Sequence, residues 1–257
     1  MSSYSKKKET GRAAKAQNSR KKAVRPSAKN KKKIGTENES SLHRTLKFQY
    51  TGHGGRVEVD VGEFVADGIR ADGEYIEVQT GSFAPLRKKI KALNDKTMKI
   101  RIIHPIAVRK TIEVYNTKGK LLYRRKSPKK GSIWNLFDSL IYAPELALLR
   151  SVTIEVVLVE IKEKRFKDGK GSWRRKGISI KDKELMTYRE KIVFKKKADY
   201  LKHFVPFKKG EEFTSNILAA RTAVTADAAR KALYVFTKMN VVERITRKGR
   251  SWVYCLG

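Results

Sequence analysis

The stretch Phe64-Val-Ala-Asp67-Gly-Ile-Arg-Ala-Asp-Gly-Glu-Tyr-Ile-Glu77-Val-Gln79-Thr-Gly81 constrains the folding of this chain more than any other. Two short runs flank Arg70-Ala-Asp-Gly73, and an Asp-Gly turn between such runs predicts a β-hairpin. Strand residues alternate faces, so Glu77 and Gln79 point one way and Val78 the other. Asp67, late in the first strand, then lies beside Glu77 across the hairpin. Two carboxylates meeting on one sheet face are costly unless something offsets their charge, and a divalent cation taking oxygen ligands does so. Solvation on an open sheet face is the alternative, and the hairpin alone leaves both open.

The flanking segments give this hairpin a context. Thr36-x-x-Glu39 has capping-box spacing, and Leu42, Leu46 and then Gln49 or Tyr50 recur at helical intervals until the glycines at 52, 54 and 55. Val57, Val59 and Val61 alternate with Glu58 and Asp60 as a half-buried strand. Phe83, Leu86, Ile90 and Leu93 form one stripe of a helix from about Ser82, with Pro85 in its first turn. Met98 to Ile103 reads as a strand ended by His104-Pro105. The order is helix, three strands, helix, strand.

Further on, Ile112–Tyr115 and Leu121–Tyr123 predict a hairpin around Asn116-Thr-Lys-Gly119, followed by a basic loop over Arg124–Lys130. Short helices are expected near Ile133–Ile141 and Pro144–Leu149. The β-branched run Val152–Ile161 is a buried strand that needs cover on both faces, which predicts that residues 106–200 extend the first sheet. Lys162–Lys183 reads as a charged excursion, with Ile192–Phe194 returning as a strand. In the last fifty residues, Phe213–Ala220 and Thr225–Asn240 suit two helices. Val241–Ile245 and Trp252–Tyr254 suit a hairpin around a basic turn, and helix, turn, helix, basic hairpin is the layout of a winged helix. The expected organisation is a disordered basic tail over 1–35, an α/β domain over 36–200 and a winged helix over 201–257.

Charge narrows the partners. The chain has 60 Lys and Arg against 26 Asp and Glu, a formal net charge of +34. Residues 1–33 hold thirteen Lys or Arg and one acid, Glu9, so the remainder is still strongly basic. A surplus of this size points to a polyanion, above all nucleic acid, with double-stranded DNA the leading expectation. No apolar run approaches a membrane span, and the tail lacks the apolar stretch of a secretory signal, so a cytoplasmic, nucleoid-associated protein is expected. One cysteine, Cys255, excludes both a disulfide framework and a thiolate zinc site.

Residues 37–103 resemble the core of the PD-(D/E)XK nuclease superfamily, on element order, an acid on the second strand and Glu77-x-Gln79 on the third. The whole chain is similar to an uncharacterised bacterial family that pairs such a core with a C-terminal winged helix. Leu42-His43, Glu77-Val-Gln79-Thr-Gly81, His104-Pro105 and Arg125-Lys-Ser-Pro128 carry that likeness. The resemblance implies a mixed-sheet, restriction-endonuclease-like core with helices on both faces. It also implies that Asp67 and Glu77 ligate Mg²⁺ or Mn²⁺ for in-line attack of water on a phosphodiester. Gln79 stands where the family usually has Lys, and it can hydrogen-bond without supplying charge. Glu39 and His43, one helical turn apart, are further catalytic candidates. For Glu39, closing a capping box is the competing role, and for His43, packing.

On the winged helix, Arg230 and Lys231 are candidates for groove edges or phosphates, and Arg247, Lys248 and Arg250 for an adjacent phosphate or the minor groove. Trp173, with Arg174, Arg175 and Lys176, suits stacking on a base or anchoring a long loop. Lys129 and Lys130 suit backbone neutralisation. Three functions remain in play: a Mg-dependent endonuclease delivered by its winged helix, a non-catalytic DNA-binding protein with a degenerate nuclease core, and a nucleoid- or RNA-associated basic protein. A homodimer is compatible with cutting both strands, although no coiled coil identifies one.

Overall fold

A computed structural model describes residues 39–94 and 98–257; the expected basic tail over 1–35 and the Thr36 cap lie outside the described residues. Helix α1 (Ser41–Thr51) begins at Ser40, whose hydroxyl accepts from the His43 N–H at 3.4 Å. Ser40 therefore takes the cap expected of Thr36, and Glu39 precedes the helix with its carboxylate free for other partners. Strands β1 (Arg56–Val61), β2 (Phe64–Ile69) and β3 (Tyr75–Val78) follow as an antiparallel meander. The β2–β3 turn closes through Gly73 N–H to Arg70 carbonyl at 3.0 Å, and Gly73 has a φ of +83°, which glycine adopts without strain. Helix α2 (Leu86–Asn94) buries Leu86, Ile90 and Leu93 as the stripe predicts, and starts just after Pro85.

Strand β4 (Ile100–Tyr115) runs parallel to β3 and then straight through His104-Pro105, where a stop was expected. Pairing with β3 ends at Ile103 and pairing with β5 (Leu121–Lys126) starts only at Thr111. Pro105 thus lies where β4 has a single neighbour strand, and a residue without an N–H is tolerated there. Arg124, Arg125 and Lys126, expected in a loop, belong to β5. Strand β6 (Val152–Lys167) lies parallel to β4, and β7 (Ile178–Phe194) antiparallel to β6, in a mixed sheet ordered β1-β2-β3-β4-β6-β7 with β5 beside the far half of β4.

The charged stretch 162–183 is therefore not an excursion but the far end of a long hairpin, made of the last residues of β6, the turn and the first residues of β7. Charged side chains replace apolar ones along it because they pair across strands. Glu163, 1% exposed, lies 3.0 Å from Lys110 and 2.5 Å from Arg165, and Glu184 bridges Lys162 and Lys164.

Two apolar cores sandwich the sheet. One lies under α1, where Leu42 and Leu46 meet Ile76, Val78, Ile103, Val157, Val159 and Ile161. The larger lies under α2 and continues into the C-terminal third. There α3 (Leu136–Leu140), α4 (Lys197–Phe204) and α6 (Ala226–Lys238) meet at Phe137, whose ring centroid is 4.7 Å from Phe204 and 5.2 Å from Phe236. Helix α4, not anticipated, spans residue 200. Its Tyr200 stacks on Phe194 at 4.6 Å. Strand β8 (Phe213–Thr214), helix α5 (Ser215–Thr222), α6 and the hairpin β9 (Val242–Lys248) and β10 (Ser251–Leu256) complete the chain, with a small sheet ordered β8-β10-β9. The architecture is a mixed α+β fold with helices on both faces of a large mixed sheet. No helix among the described residues is long and apolar enough to cross a membrane.

Candidate functional site

The β2–β3 ladder ends at the Gly68–Ile76 pair, and the next residues in register are Asp67 and Glu77. Asp67 turns its carboxylate into the gap where the strands part: Oδ2 accepts from the Val78 N–H at 2.7 Å and lies 3.1 Å from His43 Nε2 on α1. Glu58, opposite Asp67 on β1, has a φ of +53°, and the β1–β2 ladder skips that pair. Glu77 is met from the opposite layer, where Lys89 of α2 places its ammonium 2.8 Å and 2.7 Å from the two carboxylate oxygens.

These surroundings push the two acids apart in proton affinity. Burial raises Asp67, but the hydrogen bond and charge of His43, the Val78 N–H and the Lys89 charge outweigh it and hold Asp67 below its ordinary value. Burial dominates at Glu77, the Lys89 charge pulls it down, the Asp67 charge pushes it up, and it ends at about 7. Two adjacent carboxyls separated in this way are a recurring acid–base arrangement, and their oxygens are hard donors of the kind a divalent cation takes. Among the described residues, no group of three or more His, Cys, Asp or Glu is arranged to hold a metal.

The other expected site residues fall around this pair. His43 also lies 3.6 Å from Glu39, and Lys47 joins Glu39 at 2.9 Å and Glu58 at 3.2 Å, so acidic and basic side chains alternate from Asp67 along α1. The Gln79 amide donates to the Ser82 carbonyl at 2.5 Å, which ties its side chain to the loop before α2. His104, buried behind it, donates Nδ1–H to the Gln79 carbonyl at 2.6 Å and packs edge-on to Phe83. Burial holds its imidazole down at about 4, so it is neutral at physiological pH. Beyond Glu77 along the sheet, Arg101 bridges Glu74 and Glu155 at 2.9 and 2.7 Å.

Lys89 is the residue that sequence reasoning missed. Its signal is visible in retrospect: it follows Leu86 by three and abuts Ile90, so it flanks the buried stripe of α2 and its stem can carry the ammonium to the sheet.

The basic candidates separate into bound and free. Lys231 is held by Asp138 of α3 at 2.8 Å and Asp227 at 2.7 Å, so it ties α6 to the body of the molecule. Arg230 remains exposed, and the exposed stripe of α6 continues through Tyr234 and Lys238, which were not expected. Arg247, Lys248 and Arg250 are exposed on the β9–β10 hairpin, with the Arg247 guanidinium 4.8 Å over Trp252. Lys129 and Lys130 are exposed in the loop after β5. Trp173, Arg174 and Arg175 sit at the tip of the β6–β7 hairpin.

A family model described as a domain of unknown function (DUF8091) matches residues 40–195, which hold the whole carboxylate site and the long hairpin. A protein of Treponema pallidum (strain Nichols) described as an uncharacterized protein is 27% identical over 221 residues, covering 86% of each chain. No solved structure matches.

Proposed function

We infer that this chain, which belongs to the DUF8091 family, is a DNA-binding protein that cleaves phosphodiester bonds at Asp67, Glu77 and Lys89. The single observation that carries the reading is the close grouping of two carboxylates and an ammonium where β2 and β3 part, on a chain of net charge +34. The element order α1-β1-β2-β3-α2-β4, on which the likeness to the PD-(D/E)XK core rests, supports it. Lys89 supports it further, because it supplies from α2 the charge that Gln79 lacks on β3.

Magnesium is usually held by one or two protein carboxylates, with water and substrate phosphates completing its shell. A pair of acids is therefore a sufficient donor set, and the burial and mutual repulsion that raise Glu77 are what a cation would relieve. Asp67 and Glu77 would hold the ion, which supplies Lewis-acid polarisation of a phosphate oxygen. Lys89 stabilises charge on the phosphate oxygens. Asp67, the more open of the two acids, faces the approaching backbone. We read β8, α5, α6, β9 and β10 as a winged helix that delivers duplex DNA through Arg230, Tyr234 and Lys238 on α6 and Arg247, Lys248 and Arg250 on the wing.

Plasmid nicking tests the reading. The full chain is expected to nick supercoiled DNA in Mg²⁺, and Asp67→Asn and Lys89→Met to lose about 100-fold or more in rate with duplex binding kept. Cleavage that survives Asp67→Asn overturns the assigned site. The second reading, a DNA-binding protein whose nuclease-like core is non-catalytic, is favoured by Glu77, whose side chain is 3% exposed and already contacted at both oxygens by Lys89. Duplex binding without nicking by the wild type selects it.

A further inference from the structure

The long β6–β7 hairpin ends in a loop that spends considerable structure on presenting one aromatic ring. Asp168 Oδ1 accepts from the Lys170 N–H at 3.1 Å and Oδ2 from the Ser179 hydroxyl at 2.8 Å. Gly171 N–H meets the Gly177 carbonyl at 2.9 Å, Lys176 N–H the Trp173 carbonyl at 2.9 Å, and Arg175 Nε the Ile178 carbonyl at 3.2 Å. A Cβ at Gly171 would lie 1.9 Å from the Ile178 carbonyl oxygen, so the loop closes this tightly only with glycine there. On this base Trp173 stands 83% exposed, with the Arg174 guanidinium 5.5 Å from its ring centre.

Exposing an indole forfeits the burial that its size offers, and the chain does not do so elsewhere: Trp134 is 9% exposed and Trp252 is partly covered. Between Asp168 and Gly177 there is no second apolar side chain, while the same segment carries Lys170, Arg174, Arg175 and Lys176. A membrane-inserting tip would cluster apolar groups, and the net charge of +34 favours a polyanion over a protein surface. A lone ring among cations matches a nucleobase attached to a phosphate backbone.

We propose that the tip of the β6–β7 hairpin is a base-stacking probe, in which Trp173 receives an unpaired or unstacked base, so that the preferred nucleic acid is a duplex carrying such a base rather than a fully paired one. The proposal deepens the DNA-binding reading and rests on it. Glu77 lies level with Ile102 and Ile154, and from Ile154 to the tip β6 runs about 40 Å at ~3.3 Å per residue. That is about twelve base pairs of B-form duplex, a span that a single duplex would cover in reaching both Trp173 and Asp67.

The test measures binding of the full chain, in EDTA, to two 40-bp duplexes of matched composition, one fully paired and one with a single unpaired 2-aminopurine bulge. Wild type is expected to prefer the bulged duplex and to change its 2-aminopurine fluorescence. Trp173→Ala, an exposed position whose thermal melting should match wild type, is expected to lose about tenfold on the bulged duplex and less than about twofold on the paired one. Trp173→Phe should keep most of the preference. Equal losses on both duplexes, or no preference by wild type, overturn the probe while leaving DNA binding intact. Failure of wild type to bind either duplex sinks the DNA-binding reading itself. Selective loss of binding to anionic phosphatidylserine vesicles by Trp173→Ala, with DNA binding unchanged, overturns the proposal in favour of a membrane role.

Discussion

Burial and the Asp67 charge, against the pull of Lys89, raise the Glu77 carboxyl from an ordinary 4.5 to about 7. Folded Glu77 therefore holds a proton that the unfolded chain releases near 4.5, so stability falls as pH climbs between those values, by about 3 kcal/mol. His104 acts in the opposite sense: burial lowers it from 6.5 to about 4. Its contribution is complete above 6.5 and is lost, again by about 3 kcal/mol, as pH falls toward 4. The two slopes oppose each other over pH 4.5–6.5. Glu77→Gln removes one of them, so urea melts of that variant should gain stability steadily from pH 4.5 to 6.5 and exceed wild type by up to about 3 kcal/mol at pH 8. A variant curve parallel to the wild-type one contradicts the ionisation assigned to Glu77.

At the scale of elements, the approach of α1 to β2 sets where His43 meets Asp67. Gly68 permits it: a Cβ there would lie 2.1 Å from Thr51 Oγ1, a hydroxyl that is itself buried without a hydrogen-bond partner. Gly68→Ala is expected to cost about 2 kcal/mol by overpacking, and Thr51→Ala less than about 1 kcal/mol. The double variant should recover about 1 kcal/mol or more relative to additivity, as chemical denaturation would show. Strict additivity means that the helix shifts freely and that Gly68 does not fix its seat.

Elements also show which features are legible in sequence. The β2–β3 turn is, because a hairpin turn fixes cross-strand partners locally, but the expected meeting of Asp67 and Glu77 on one sheet face is corrected: the strands part there, and Asp67 is held from α1 while Glu77 is held from α2. Lys89 is not, because its reach to Glu77 depends on how α2 docks, which is a tertiary fact. The β6–β7 hairpin is hidden for another reason: Lys162, Glu163, Lys164 and Glu184 pair across strands, so a ladder of charges has the composition of a loop. Pro105 misleads through a sound local rule that fails only because β4 has one neighbour at that point. Lys231 misleads because its partner Asp138 is distant in sequence.

On the proposed function, the positive surplus, the α6 stripe, the β9–β10 hairpin and the Trp173 tip would grip one extended polyanion, with the acidic pair as the counter-charged point within them. On the proposed function that point is a cation site at which Lys89 and a divalent ion compete for Glu77. Titration of the full chain with Mn²⁺, followed by the loss of free-ion electron paramagnetic resonance signal, tests this most directly. Wild type is expected to bind Mn²⁺ in a class of sites that Asp67→Asn abolishes and Lys89→Met tightens, by about tenfold for one displaced charge contact. Binding that is absent in wild type, or unchanged in both variants, would contradict it.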